Sequence, residues 1–304
     1  MIMKYARLWI GLQLVLTGSF SMAGAPEAQR VALQAPECKS IQPFYWEIGN
    51  SQGLLVAGSP GKKYERQDEM KIASASKWIF AAYYIELKKA VLAEPDKNLL
   101  LMRGGYDQFN VMPCALRLTV EACFQARSNS TVNPGNVGKF YYGGGSAQAL
   151  AVGAGLGKLN RKKLSKEIEG TLKNKFSLSY SNLALAGGAE MNVENYARFL
   201  QEILKGTYLI KDLLGADAVC THPATCKQAA FSPAKEDWKY SYHHWVETNG
   251  GPVEAYSSPG AFGFYPWISA DKKTYGIVAR EGRGELAYWD SVLCGRAIRK
   301  AYFK

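Results

Sequence analysis

The segment Ser74-Ala75-Ser76-Lys77 runs directly into Trp78-Ile79-Phe80-Ala81-Ala82-Tyr83-Tyr84-Ile85-Glu86-Leu87, setting a serine three residues before a lysine at the head of an apolar run. Apolar residues recur at Ile79, Ala82, Tyr83, Leu87 and Val91, the spacing of one helix face, and Pro95 closes the pattern. Residues three apart on a helix share a face, so the lysine amine stands beside the serine oxygen. A serine hydroxyl is a weak nucleophile until a base takes its proton. An amine held neutral by burial or by nearby positive charge is such a base. A serine at a helix N-terminus also has free N–H groups and the helix dipole beside it, both of which favour developing negative charge. Ser76 has no such partner, because the residue three after it is Ile79. A capping serine followed by a surface lysine would have the same spelling, so the surrounding chain has to separate the two readings.

Upstream, Phe44 to Ile48 and Leu54 to Ala57 have strand composition and are split by Asn50-Ser51-Gln52-Gly53, a hairpin signal. Downstream, Ala147 to Leu156, Lys162 to Leu172 and Val193 to Leu204 carry a helical period, with Asn192 placed to cap the last. The end of the chain returns to strands over Tyr240 to Glu247, Ala261 to Ser269 and Tyr275 to Arg280, separated by Asn249-Gly250-Gly251-Pro252 and Asp271-Lys272-Lys273 turns. Trp289 to Ala301 reads as a terminal helix. Strands at both ends and helices between them predict an α+β fold. One antiparallel sheet is built from both chain ends and flanked by helices, and an all-helical lobe is inserted between. The lobes are expected over 38–100 with 238–304, and over 101–237. The motif thus follows a hairpin and opens a long apolar helix, which favours the catalytic reading.

Lys4 and Arg7, the apolar Leu8 to Phe20, and the small residues of Ser21-Met22-Ala23 have the layout of a secretory signal peptide over 1–23. The competing readings are a core helix or a retained anchor, for which the apolar run is short. Residues 24–37, rich in Ala, Pro and Gln, read as a flexible leader before a domain over 38–304. No later segment is long and apolar enough to cross a bilayer, so none remains once the signal is removed. The reading places the protein outside the cytoplasm, in the periplasm or secreted.

The net charge is +11, two units of it from Lys4 and Arg7. Positive charge attracts anionic partners such as cell-wall polymers, whereas no nucleic-acid recognition motif accompanies it. Arg161, Lys162, Lys163 and Lys166 form a local cluster that also reads as a solvated helix face. Six cysteines in an exported chain suggest disulfides. Chain proximity pairs Cys114 with Cys123 and Cys220 with Cys226, leaving Cys38 for Cys294. Zinc binding and buried free thiols are the alternatives; no pair has the spacing of a zinc knuckle. No metal site and no cofactor are expected.

The Ser-x-x-Lys spelling is shared with class A β-lactamases and penicillin-binding proteins. The rest of the chain, over roughly 40–304, resembles the class C branch of that serine β-lactamase/penicillin-binding-protein superfamily, whose relatives include serine esterases and D-alanyl-D-alanine peptidases. Leu101-Met102-Arg103-Gly104-Gly105-Tyr106 is similar to the family's turn after the second helix. Phe140-Tyr141-Tyr142-Gly143-Gly144-Gly145 sits where the family has Tyr-x-Asn, and Ala186-Gly187-Gly188 precedes a helix as it does there. Ser258-Pro259-Gly260-Ala261-Phe262-Gly263 occupies the place of the Lys-Thr-Gly or His-x-Gly strand.

The resemblance implies the β-lactamase/transpeptidase-like fold and a site residue by residue. Ser74 is the acylated nucleophile and Lys77 its activator. Tyr142 is the proton-shuttling tyrosine, with Tyr141 as the alternative one residue away. The backbone N–H groups of Ser74 and of Ala261, on an edge strand, form the oxyanion hole. Gly144, Ser258 and Gly260 contribute to substrate binding. Two departures stand out. Gly144 replaces the family's Asn and removes an amide contact. Ser258 replaces a Lys or His and removes the cation that pairs with a substrate carboxylate. An ester or amide without an obligatory carboxylate is the expected small-molecule or peptide substrate, with β-lactams also open. A poorly deacylating binding protein of the same fold is the alternative. His222, His243 and His244 lie in no Gly-x-Ser-x-Gly context and read as structural. Asn129-Ser130-Thr131 matches a glycosylation acceptor, to which nothing is assigned.

Overall fold

The protein is described here by a computed structural model covering residues 24–248 and 250–304. The signal peptide expected over 1–23 and Asn249 of the expected turn lie outside the described residues. The chain begins with α1 (Ala25–Gln34) and α2 (Pro36–Lys39), then the hairpin β1 (Tyr45–Asn50) and β2 (Gly53–Gly58). After β3 (Met70–Lys71), a 3-10 turn over Ala73–Ala75 leads into α3 (Ser76–Leu87), followed by α4 (Glu94–Leu100) and α5 (Val120–Phe124). Next come β4 (Phe140–Tyr141), α6 (Gly145–Gly153), α7 (Arg161–Thr171), β5 (Ser179–Tyr180), β6 (Ala189–Met191) and α8 (Val193–Lys205). Strands β7 (Val219–Cys220), β8 (Ala229–Phe231), β9 (Lys239–Ser241), β10 (His244–Glu247), β11 (Ala255–Ser257), β12 (Tyr265–Ser269) and β13 (Thr274–Ala279) precede the terminal helix α9 (Ala287–Tyr302).

The main sheet has eight strands in the order β2-β1-β13-β12-β11-β10-β9-β7. Its pairs are antiparallel, and β1 meets β13 with Tyr45 opposite Ala279. The two chain ends therefore share one sheet, as the element order predicted. Helix α3 is buried on every face from Ser76 to Ile85. A helix apolar all round belongs in a core, and this one joins residues of the sheet and of the helical region in one apolar cluster. The Asn192 side chain accepts from Asn195 N and caps α8, as its position suggested.

Three readings of the sequence are corrected. The flexible leader over 24–37 is helical. Ala25, Ala28 and Ala32 form a small-residue stripe buried in the same apolar cluster as residues of α9. Cys38 is bonded to Cys294 in that helix. The single strand expected over Tyr240 to Glu247 is a hairpin. It reverses at Tyr242-His243, where His243 takes a left-handed φ of +58°, so alternation continues through a turn that carries no glycine. The strand expected to begin at Ala261 begins at Tyr265. Before it, β11 ends at Ser257 and a turn spans 258–264, with Gly263 at φ +101°. Cys114–Cys123 and Cys220–Cys226 complete the disulfides.

Buried charge ties the sheet to its flanks. Arg299 of α9 donates to Glu247 of β10 at 2.8 Å, and Tyr265 donates to the same carboxylate at 2.7 Å. Burial pushes the Glu247 pKa up, but the Arg299 charge and the hydrogen bonds outweigh it, and the net direction is down. Glu47 of β1 accepts from Arg66, Tyr45 and Tyr275. Removing one partner of a buried pair leaves an uncompensated charge. Arg299→Ala is therefore expected to destabilise the fold by about 3–5 kcal/mol, read from urea unfolding; a loss under about 1 kcal/mol, the worth of an exposed pair, would contradict it.

Candidate active site

Ser74 sits in the middle of the 3-10 turn that starts α3. Ala73 before it has a left-handed φ of +43°, a conformation a non-glycine residue holds only when its surroundings impose it. Those surroundings are specific. Ile72 N donates to Ala189 O, the Tyr196 hydroxyl to Ala75 O, and the Ser258 hydroxyl to Ser74 O at 3.1 Å. Ser76 is fully buried, and its hydroxyl donates to Ala73 O at 2.6 Å, so it braces the turn and faces no substrate.

One turn along α3, Lys77 Nζ lies 2.9 Å from Ser74 Oγ and donates to Ala186 O, also at 2.9 Å. Ala186 thus has a definite place in the Ala186-Gly187-Gly188 segment, where its carbonyl orients the amine. The lysine is buried, and burial alone lowers its pKa to about 7. The second cause that the sequence allowed, a neighbouring cation, is not needed. Near neutrality much of the amine is in the form that can take the Ser74 proton.

Tyr142 places its ring 4.6 Å from Lys77 Nζ and packs against Trp245, centroid to centroid 5.1 Å. Its phenol pKa is pushed up to about 12 by burial, partly opposed by hydrogen bonding with Ser74 and Trp245. The backbone holds it there, with Tyr141 N donating to Met102 O in the 101–106 turn and Tyr142 N to Phe231 O of β8. Tyr142 lines the cavity with Ser74, whereas the Tyr141 ring packs on Phe231.

Ala261 also lines this cavity, but it belongs to the turn between β11 and β12, both internal strands, and not to an edge strand. Among the described residues, neither the Ala261 nor the Ser74 N–H donates a hydrogen bond. Two residues with unpaired backbone donors therefore line the same cavity. Gly260 allows this turn to approach, since a Cβ there would stand 2.1 Å from Ile72 O.

Two expected substrate contacts have other tasks. Ser258 is buried and its hydroxyl donor is spent on Ser74 O, so it holds the Ser74 backbone in place. Gly144 is buried at the start of α6, and a Cβ there would stand 2.4 Å from the Phe109 ring, which fills the space an asparagine would use.

The cavity holds about 170 Å³. Its walls are aromatic, from Tyr142, Trp238, Trp245, Tyr288 and Trp289, and the one charged residue lining it is Glu285. The tryptophans brace one another, with Trp238 lying 5.9 Å from Trp245 and 5.3 Å from Trp289. Of these walls only Tyr142 was expected from the sequence; Trp238, Trp245, Tyr288 and Trp289 were not, since an aromatic residue in a strand or helix pattern reads as core. His243 and His244 are buried, with pKa values lowered by burial to about 3 and about 4. His244 accepts from Gly215 N and stacks on Trp78, a structural role. Among the described residues, no cluster of three or more His, Cys, Asp or Glu side chains could hold a metal.

No protein-family model matches the chain, and no curated protein matches its sequence. Solved structures do match in shape. A D-amino acid amidase from Ochrobactrum anthropi SV3, complexed with L-phenylalanine amide, superposes with a TM-score of 0.66 at 11% identity, over 91% of this chain and 98% of that one. The hydrolase EstCE1, with promiscuous acyltransferase activity, gives 0.64 at 12% identity, over 92% and 98%. A penicillin-binding protein from Bacillus halodurans gives 0.58 at 13% identity, over 84% and 96%. At these identities the likeness is one of fold, and the fold is that of the serine β-lactamases and transpeptidases.

The backbone approach at Gly260 has a direct test. Gly260→Ala forces the 258–261 turn away from Ile72 and so moves Ala261 from Ser74. Overpacking of this kind costs about 1–3 kcal/mol. Covalent labelling of the variant by a fluorophosphonate is expected to slow by on the order of a hundredfold, the effect of a lost oxyanion-hole donor. Unchanged labelling would show that the turn does not serve the site.

Proposed function

We propose that the chain is an exported serine hydrolase that acts on an ester, amide or β-lactam carbonyl through an acyl-enzyme on Ser74. The observation that carries this reading is the Lys77 amine, buried, lowered to a pKa of about 7 and 2.9 Å from the Ser74 hydroxyl. Neutral Lys77 Nζ accepts the Ser74 proton as Oγ bonds to the carbonyl carbon. The carbonyl oxygen takes the negative charge between the Ser74 and Ala261 N–H groups. The tetrahedral adduct then collapses and its carbon–oxygen or carbon–nitrogen bond breaks. The departing alcohol or amine receives the proton from Lys77 through the Tyr142 phenol. Water attacks the acyl-serine, passes its proton back by the same route, and releases the acid and Ser74.

The cavity supports a substrate with an apolar or aromatic group beside the carbonyl, because five aromatic side chains enclose the space next to Ser74. Among the described residues no lysine, arginine or histidine lines it, and the residue at the family's cation position, Ser258, is occupied with Ser74 O. A substrate carboxylate would find no cation among the walls and would face Glu285. Three disulfides fit an oxidising compartment and support export.

Ser74→Ala is expected to abolish hydrolysis of p-nitrophenyl esters and fluorophosphonate labelling while leaving the fold intact. Wild-type labelling of this variant would remove Ser74 from the mechanism. Time courses with a fluorescent penicillin read deacylation, and a label that never leaves the wild-type protein would assign the chain to the binding alternative.

Lys77→Arg should lose on the order of a hundredfold or more in acylation rate, since a guanidinium stays protonated. For the wild type, the acylation rate should rise with pH through about 7 and level off above it, as the lysine passes from its inactive protonated form to the base. A rate independent of pH between 6 and 8, a window of about one unit either side of that value, would mean that Lys77 is not the base.

A further inference from the structure

Away from the cavity, the loop after Phe109 presents large aliphatic side chains to solvent. Leu116 is 87% exposed, Leu118 82% and Met112 74%. An isolated exposed leucine needs no explanation, but two leucines and a methionine left nearly bare on a single short loop do. The loop is held in shape. Cys114 is bonded to Cys123, and the buried Asn129 amide clamps Asn110 O at 3.0 Å and Cys123 O at 2.9 Å. This clamp accounts for Asn129, whose side chain is unavailable as a glycan acceptor. Arg161 at the start of α7 donates to Ala115 O at 2.6 Å and joins the helix to the loop.

Basic residues surround the apolar tips. Leu116, Arg117, Leu118, Arg161 and Lys162 line one shallow groove, and Lys163 and Lys166 follow on the exposed face of α7. Among the described residues, none of these five cations has a carboxylate within ion-pair distance. Three of them occupy the first turn of α7, which carries no acid, where the helix dipole disfavours positive charge. Apart from the Arg161 hydrogen bond to Ala115 O, folding offers these cations no opposite charge, whereas an external anionic surface would.

We propose that this face docks on an anionic lipid bilayer. Met112, Leu116 and Leu118 enter the boundary between headgroups and acyl chains, while Arg117, Arg161 and Lys162 meet the phosphates. The nearly bare leucines are what favour lipid over a hydrophilic anionic polymer, which would use the cations and leave the leucines in water. The proposal does not depend on the chemistry at Ser74.

The test uses the full chain and vesicles of phosphatidylcholine with or without phosphatidylglycerol. Leu116→Ser combined with Leu118→Ser is expected to weaken binding to the anionic vesicles by tenfold or more, at roughly the transfer free energy of two leucine side chains. Arg117→Ala and Lys162→Ala should each weaken it about fivefold, and salt should weaken all binding. Leu116→Trp reads insertion locally. Its fluorescence on vesicles with brominated acyl chains should be quenched beyond that of the wild type, which carries the same apolar Leu8 to Phe20 segment and so supplies the baseline.

No added quenching, or equal vesicle binding by the double serine variant, overturns the proposal. So does equally tight, leucine-independent binding of the wild type to a soluble polyglycerol phosphate. Self-association that the serine variant abolishes, without vesicle binding, would make the face a contact between copies of this chain and would likewise overturn it.

Discussion

A charged amine taken out of water costs several kcal/mol unless an acid meets it, and Lys77 is buried with only burial acting on its pKa. The site depends on that constraint. The amine can stay buried because it need not be charged, and in the neutral state it is a base beside Ser74. Burial follows from helix α3, enclosed on all faces, and from the Ala186 carbonyl that takes one of its N–H groups. The surrounding polar groups act on backbone: Ser258, Ser76 and Tyr196 hold the turn that carries Ser74. Ser74 and Lys77, the proposed nucleophile and base, sit on one continuous helical segment, so their separation does not depend on loop motion.

The sheet makes such a central helix feasible. Pairing β1 with β13 joins the two ends of the chain, and the segment between them folds as an insertion with its own apolar contacts to α3. Closing so long a loop is costly in chain entropy. Cys38–Cys294, whose partners are separated by 256 positions in the sequence, restricts the unfolded chain by roughly 5 kcal/mol in the entropic model. The Arg299–Glu247 pair fixes α9 against the strands that lead to Trp245 and Ala261. The walls of the cavity and the fastening of the chain ends are therefore parts of one construction.

That construction replaces polar recognition with shape. Phe109 fills the space opposite Gly144, Ser258 turns inward, and tryptophans from β10 and α9 enclose the remaining volume. In the proposed site the first two leave no side-chain amide or cation to read a peptide or a carboxylate, and the third makes the enclosed volume apolar. Selectivity in such a cavity comes from fit and desolvation, which discriminate less sharply than a buried hydrogen bond left unpaired.

Features within reach of local geometry were legible in the sequence. The pairing of Ser74 with Lys77 follows from helical spacing, the Asn192 cap from its place before a periodic run, and the first hairpin from its turn residues. The short disulfides follow from chain proximity, and the long one from what remained. Alternation failed at Tyr242-His243, where a turn without glycine interrupts no pattern, and composition failed at Ala25, Ala28 and Ala32, whose helical stripe was hidden by Pro and Gln. Tyr142 over Tyr141, the inward turn of Ser258, the loss of the Gly144 contact and the aromatic walls were decided by tertiary structure alone. Each depends on which distant segment lies opposite, Ser74 against Ser258 or Gly144 against Phe109, and a sequence period specifies the face a side chain occupies but not the partner that meets it.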